Sequence, residues 1–172
     1  MKICFFSRLF WPNESGAEKT VRELAEDLAK KGHSVDVVTT RRNNQLLKNE
    51  RINDYNIFRL YWGKTSLPII KIGVINYLYY DFLYFFQIRK LIIKHKYDIL
   101  ACSDPISFGI PISRLSKIFN ISLITIWVNS NLTIDKFINF RKNSWKSSIK
   151  NTMFSLYINI VKKITIKSML SL

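Results

Sequence analysis

The sequence predicts an α/β domain built on a doubly wound parallel sheet with helices on both faces. Apolar, β-branched runs alternate with stretches of helical periodicity along the whole chain. A strand, a helix and a second strand are completed between residues 2 and 40, the span of a βαβ unit with a right-handed crossover. No internal repeat, low-complexity tract or Pro/Gly-rich linker divides the 172 residues, so a single domain is expected.

Residues 2–7 read as a buried strand. Ala17, Val21, Leu24, Ala25, Leu28 and Ala29 then recur at helical spacing and mark one core-facing stripe. The opposite face pairs Glu18 with Arg22, Glu26 with Lys30 and Asp27 with Lys31 at i,i+4. Lys30 and Lys31 precede Gly32 in the orientation the helix dipole favours, so the helix should stop near residue 31. Strands are predicted at 34–40, 56–62, 98–103 and 121–127, helices at 76–96, 107–119 and 146–163, and a last strand within ITIKSML. The stretch RRNNQLLKNER, 41–51, reads as a basic loop.

Twenty-seven Lys and Arg against twelve Asp and Glu leave a net charge of +15. Such a surface favours a polyanionic partner: nucleic acid, anionic lipid or a phosphorylated substrate. The basic loop lacks interleaved aromatics or a helix-turn-helix pattern, so no specific nucleic-acid partner is expected. Cys4 and Cys102 fall inside predicted strands and the two histidines stand alone. Buried, reduced thiols in a cytoplasmic protein and no metal site follow. The opening MKICFFSRLFWP lacks the long apolar core and cleavage site of a signal peptide. His33 is expected at a turn, bonded to a backbone carbonyl, and His95 on the surface.

The tyrosine-rich segment 72–88 holds one charge, Asp81, and is too short and too polar to span a membrane. It suits either a helix packed on the sheet or, with Arg89, Lys90, Lys94 and Lys96 behind it, a monotopic contact with anionic headgroups. The stripe Trp145, Ile149, Met153, Leu156 and Ile160 admits the same two readings.

Between the first strand and first helix lies PNESGAE, 12–18. Ser15 followed three residues later by Glu18 has the form of a capping box. A glycine at position 16 equally lets a ligand approach the backbone, where open amides favour phosphate at the carboxyl edge of a parallel sheet. Asp104 follows the fourth strand at that same edge and serves either to line a pocket or to cap the next helix. Arg8 either faces an anionic group or is solvated. No G-x-G-x-x-G or G-x-x-x-x-G-K-[ST] follows any strand, which argues against a dinucleotide enzyme or a P-loop NTPase.

The run KICFFSRLFWPNESGAEKTVRELAEDLAKKGHSVDVVTT resembles the start of glycosyltransferase family 4 enzymes, with their Gly-Gly-Ala-Glu type loop, Leu-Ala-rich helix and Gly-His turn. YDILACSDPISFGIP and LITIWVNSNLT resemble the family's fourth and fifth strands with their loops, especially in members that build O-antigen or capsular polysaccharides on lipid carriers. The resemblance implies a GT-B enzyme with two Rossmann-like domains, of which 1–172 would be the N-terminal, acceptor-side one. It implies retaining transfer without an enzyme nucleophile, from a nucleotide sugar held mainly by the other domain, to a lipid-linked or saccharide acceptor, and no further cofactor. The donor-binding domain is expected to be missing here, through truncation or because a separate chain supplies it. Ser15 replaces the usual first glycine of the loop, and Asn129 takes the acceptor-pocket position, where it cannot act as a base. With Ser15, Gly16, Arg8 and Asp104 it completes the candidate substrate-binding set. The cytoplasm, with peripheral contact at the inner face of the plasma membrane as an option, is the expected location. The alternative is a non-catalytic basic module derived from a transferase domain, engaging anionic membrane or nucleic acid.

Overall fold

In the computed structural model, residues 1–41, 43–61 and 73–126 are described. The elements run β1 (Lys2–Phe6), α1 (Gly16–Lys30), β2 (Ser34–Arg41), β3 (Asn49–Ile52), β4 (Tyr55–Tyr61), α2 (Gly73–His95), β5 (Ile99–Cys102), α3 (Pro105–Phe119) and β6 (Ser122–Thr125). They form one six-stranded sheet in the order β3-β4-β2-β1-β5-β6. The expected helix at 146–163, the stripe from Trp145 and the last strand lie outside the described residues.

Side chains alternate across the central strands, so successive residues feed two separate cores. Ile3, Phe5, Val35, Val37 and Ile57 pack with Val21 and Ala25 of α1. Cys4, Phe6, Val38 and Leu60 pack on the other face with Tyr84, Ile88 and Ile92 of α2 and Phe108, Ile112 and Leu115 of α3. Phe108 joins the layers, its ring centroid 6.0 Å from Phe6 and 5.1 Å from Tyr84. Helices therefore cover both faces, as predicted.

The sheet is not wholly parallel, which corrects the expectation for residues 41–51. Asn49–Ile52 forms an antiparallel edge strand, with Ile52 opposite Tyr55 and Asn49 opposite Phe58. Asn53 turns the chain with φ of 50°, a left-handed conformation that Asn tolerates. The pairing is fastened by Glu50, whose carboxylate lies 2.6 Å from the guanidinium of buried Arg59. Its basic composition hid a strand whose partner lies across the turn.

In α1, Ser15 and Glu18 form the expected capping box: the Ser15 N–H donates to the Glu18 carboxylate at 3.0 Å, and the serine hydroxyl also turns to that carboxylate. Arg22 consequently does not pair with Glu18. It reaches Glu14 at 3.0 Å and Glu26 at 3.2 Å, because Glu18 is committed to the cap. Leu24, expected in the core, is exposed at the stripe's margin. The helix ends in a Schellman motif: Gly32 at φ 83° donates to Ala29, and His33 donates through its backbone N–H to Leu28 at 3.1 Å.

His95 is not a free surface residue. Its Nδ1 lies 3.3 Å from the buried Asp36 carboxylate, its ring stacks on Tyr97 at an interplanar angle of 4°, and Phe58 meets it edge-on. Asp36 also accepts from Tyr97 Oη at 2.7 Å and from Asn56 Nδ2 at 2.8 Å. Burial pushes the Tyr97 hydroxyl well above its usual range, so it stays protonated and donates. Cys4 lies against this cluster, its thiol raised by burial and then by the Asp36 charge. Both cysteines are free and buried, in agreement with the sequence.

Candidate functional site at the carboxyl edge of the sheet

From β1 the chain moves outward through β2 and β4, then returns to build β5 and β6 on the other side. The switch point lies between β1 and β5, and ligands of open parallel sheets bind outside the carboxyl ends of strands at such a point. The connections there are residues 7–15, leading to α1, and Ser103–Asp104, leading to α3.

The first connection is tied down from three directions. Its Arg8 carbonyl accepts from Thr40 Oγ1 at 2.6 Å and Thr39 Oγ1 at 3.2 Å at the end of β2. Phe10 is buried edge-on against Tyr55, their centroids 6.2 Å apart. Arg59 donates to the Trp11 carbonyl at 3.0 Å and to the Leu47 carbonyl at 3.1 Å, so one guanidinium joins this loop to the segment before β3. The Trp11–Pro12 peptide is cis. Glu14, gripped by Arg22, delivers the chain to Ser15.

Gly16 is the first residue of α1 and is exposed; a Cβ placed on it would meet nothing within 4 Å. The first intrahelical bond runs from Lys19 N–H to Ser15 carbonyl at 2.9 Å. The amides of Gly16 and Ala17 precede it and have no partner within the helix, the arrangement that attracts anions. Glu18, folded back on Ser15, already places one carboxylate at this end.

Arg8 and Asp104 are brought together across the switch point, Nε to Oδ2 3.2 Å. Of the two readings of Asp104, the structure shows the helix cap. It caps α3 by accepting from Ser107 N–H at 3.2 Å and Ser107 Oγ at 3.0 Å, and it holds Arg8. Ser103 closes the seam, donating through N–H and Oγ to the Phe6 carbonyl at 3.0 and 3.1 Å. Ser15 and Gly16 share this edge with the ion pair, whereas Asn129 lies outside the described residues. His33 and His95 sit beside the amino ends of β2 and β5, at the opposite edge.

Sequence reasoning missed Arg59, Thr39 and Thr40 as supports of the site. Arg59 had a readable signal: a lone cation inside the apolar strand NIFRLYW needs buried partners. No group of three or more potential metal ligands occurs among the described residues. No described helix is long and apolar enough to cross a membrane.

The fold is similar to that of sucrose-phosphate synthase from Thermosynechococcus elongatus, with a TM-score of 0.63 and 16% identity over 91% of this chain and 39% of that one. It is also similar to CalG4, the calicheamicin glycosyltransferase, with a TM-score of 0.51 and 11% identity over 94% of this chain and 42% of that one. These likenesses establish the fold, and the chain spans about two fifths of the length of either protein. No curated protein matches the sequence significantly. Residues 15–150, more than half of the chain, match the family model Glycosyltransferase Family 4, and the chain belongs to that family.

Proposed function

We propose that this chain is the acceptor-binding half of a retaining glycosyltransferase that moves a sugar from a nucleotide sugar to a lipid-linked or polysaccharide acceptor. Transfer then requires a donor-binding domain, on the same polypeptide or a separate one, and no cofactor beyond the nucleotide sugar. The observation that carries this reading is the convergence of the α1 amides and the Arg8–Asp104 pair on the carboxyl edge at the switch point, in a chain of this family.

Each residue has a role in keeping with its chemistry. The Gly16 and Ala17 amides meet a phosphate oxygen at the positive end of α1. Arg8, half-exposed, turns from Asp104 to an anionic group of the substrate, and Asp104 accepts from a saccharide hydroxyl. Ser15 holds the loop in the capped conformation, and Asn129 supplies an uncharged hydrogen-bonding group to the acceptor pocket. The chain offers no nucleophile in this scheme; it positions the acceptor and excludes water.

The test supplies the chain with a family donor-binding domain and follows transfer of labelled sugar to a polyprenyl-diphosphate acceptor. Transfer that falls with Arg8→Ala or Asp104→Asn supports the reading. Absence of both transfer and acceptor binding with every donor domain and nucleotide sugar tried overturns it.

A further inference from the structure

We propose that the outward face of the α2/α3 layer is a docking surface for an anionic lipid bilayer. The proposal goes beyond the transferase reading and stands without it.

The inward face of α2 is spent on the core through Tyr84, Ile88 and Ile92. Its outward face is apolar too. Tyr79, Phe82, Phe86 and Ile93 are exposed, Phe82 by 62%, and their spacing puts them on one stripe. Phe82 and Phe86 lie against one another, centroids 4.8 Å apart, and leave their outer edges to solvent. Arg89 falls on one flank of this stripe, and Lys90 and Lys94 on the other; all three are exposed. Next to it, α3 exposes Arg114, Lys117 and Ile118.

Charge sign separates this layer from the other side of the sheet. The one acid in α2 is Asp81, which is buried, and α3 contains none. On the opposite face, α1 mixes Glu18, Glu23, Glu26 and Asp27 with Lys19, Arg22 and Lys30. The α2/α3 face thus offers aromatic and aliphatic bodies amid cations and no exposed described acid. That combination fits a headgroup region: rings enter the acyl boundary while Lys and Arg stems extend to the phosphates. A second copy of the chain meets this face less well, because a two-fold contact sets Arg89, Lys90, Lys94, Arg114 and Lys117 against their own kind.

The test is co-sedimentation of the full 172-residue chain, without nucleotide sugar, on phosphatidylglycerol and on phosphatidylcholine vesicles. Binding to the anionic vesicles alone is expected. Phe82→Ser with Phe86→Ser should weaken it by about tenfold or more. Arg89→Glu with Lys90→Glu and Lys94→Glu should weaken it on the order of a hundredfold. Lys19→Glu with Lys30→Glu and Lys31→Glu, an equal change of net charge on the α1 side, should change it less than about threefold. Circular dichroism checks that each variant folds. A chain that stays in the supernatant, equal losses from the two charge-reversal triples, or unchanged binding by the double Phe variant overturns the proposal. So does self-association, or binding to a single-stranded oligonucleotide, that depends on Phe82 and Phe86 in the absence of vesicle binding. Vesicle binding without sugar transfer leaves docking standing and removes only the transferase reading; the reverse result removes only docking.

Discussion

Replacing Gly16 by Ala separates the two explanations of the opening loop, because both predict a more stable fold and only one predicts weaker binding. The backbone at Gly16 has no positive φ, and the added Cβ meets nothing within 4 Å, so folding imposes no steric penalty. Alanine has fewer unfolded conformations to lose, and the variant should gain about 0.4–1 kcal/mol. For a domain of this size that raises the melting temperature by about 1–4 °C. If a phosphate closes on the Gly16 and Ala17 amides, the same methyl intrudes on the approach. A loss of about tenfold in affinity, equivalent to about 1.4 kcal/mol, is then expected. Thermal denaturation gives the first quantity; titration with nucleotide sugar or diphosphate acceptor, with the donor-binding domain present, gives the second. A more stable protein that binds less well supports a ligand-facing glycine. A more stable protein with unchanged or improved affinity refutes it and leaves Gly16 as no more than the first residue of a capped helix.

Arg59→Ala removes the donor shared by the Trp11 and Leu47 carbonyls and the partner of Glu50; urea denaturation should show a loss of about 1–3 kcal/mol, with faster amide exchange in residues 8–14. Phe108→Ala empties the contact between Phe6 and Tyr84 and should cost about 3–5 kcal/mol in the same assay. The Tyr55 hydroxyl is buried without a hydrogen-bond partner among the described residues, and burial pushes its pKa up to about 12 from an ordinary 10. The unfolded chain therefore releases this proton first, and the stability it represents is whole below pH 10 and lost as pH rises from 10 towards 12. Denaturation as a function of pH should show that decline, and Tyr55→Phe should reduce its slope while leaving stability at neutral pH equal or higher.

What the sequence disclosed and what it hid differ by range. The Ser15–Glu18 box and the Gly32 turn are complete within a few residues of chain, so residue types at fixed offsets reveal them. The strands of the parallel core declare themselves through runs such as SVDVVTT, buried on both faces. The edge strand Asn49–Ile52 does not, because it exists through a ladder to β4 and an ion pair to Arg59. His95 was misplaced for the same reason: lysines on both sides suggest solvent, while the group that draws it inward, Asp36, stands at the start of another strand. At the site, Asp104 was legible as a cap or as a pocket residue. The cap is what the structure shows, and only the parallel register of β1 and β5, with Phe6 opposite Cys102, puts Asp104 beside Arg8 as well.

The same register explains why chemistry is to be sought at one edge of this sheet and not at the other. Parallel strands all begin at one edge, and here that edge is tied together by local bonds: the Schellman turn precedes β2, Lys2 N–H donates to Asp98 at 2.7 Å, and the Asp36 carboxylate meets Tyr97, Asn56 and His95. At the carboxyl edge the two connections at the switch point instead deliver helix amino termini, α1 after β1 and α3 after β5, so partial positive charge gathers there. The end of α3 is spent on Asp104, which accepts its Ser107 amide. The end of α1 is met by Glu18, whose carboxylate binds the Ser15 amide and leaves those of Gly16 and Ala17 ahead of the first intrahelical bond. A phosphate arriving at α1 must share the helix end with that carboxylate. Glu18→Gln should therefore weaken the cap yet raise the affinity for a phosphate-bearing ligand, and a fall in both stability and affinity would show that the cap, and not electrostatic room for an anion, governs binding at this end.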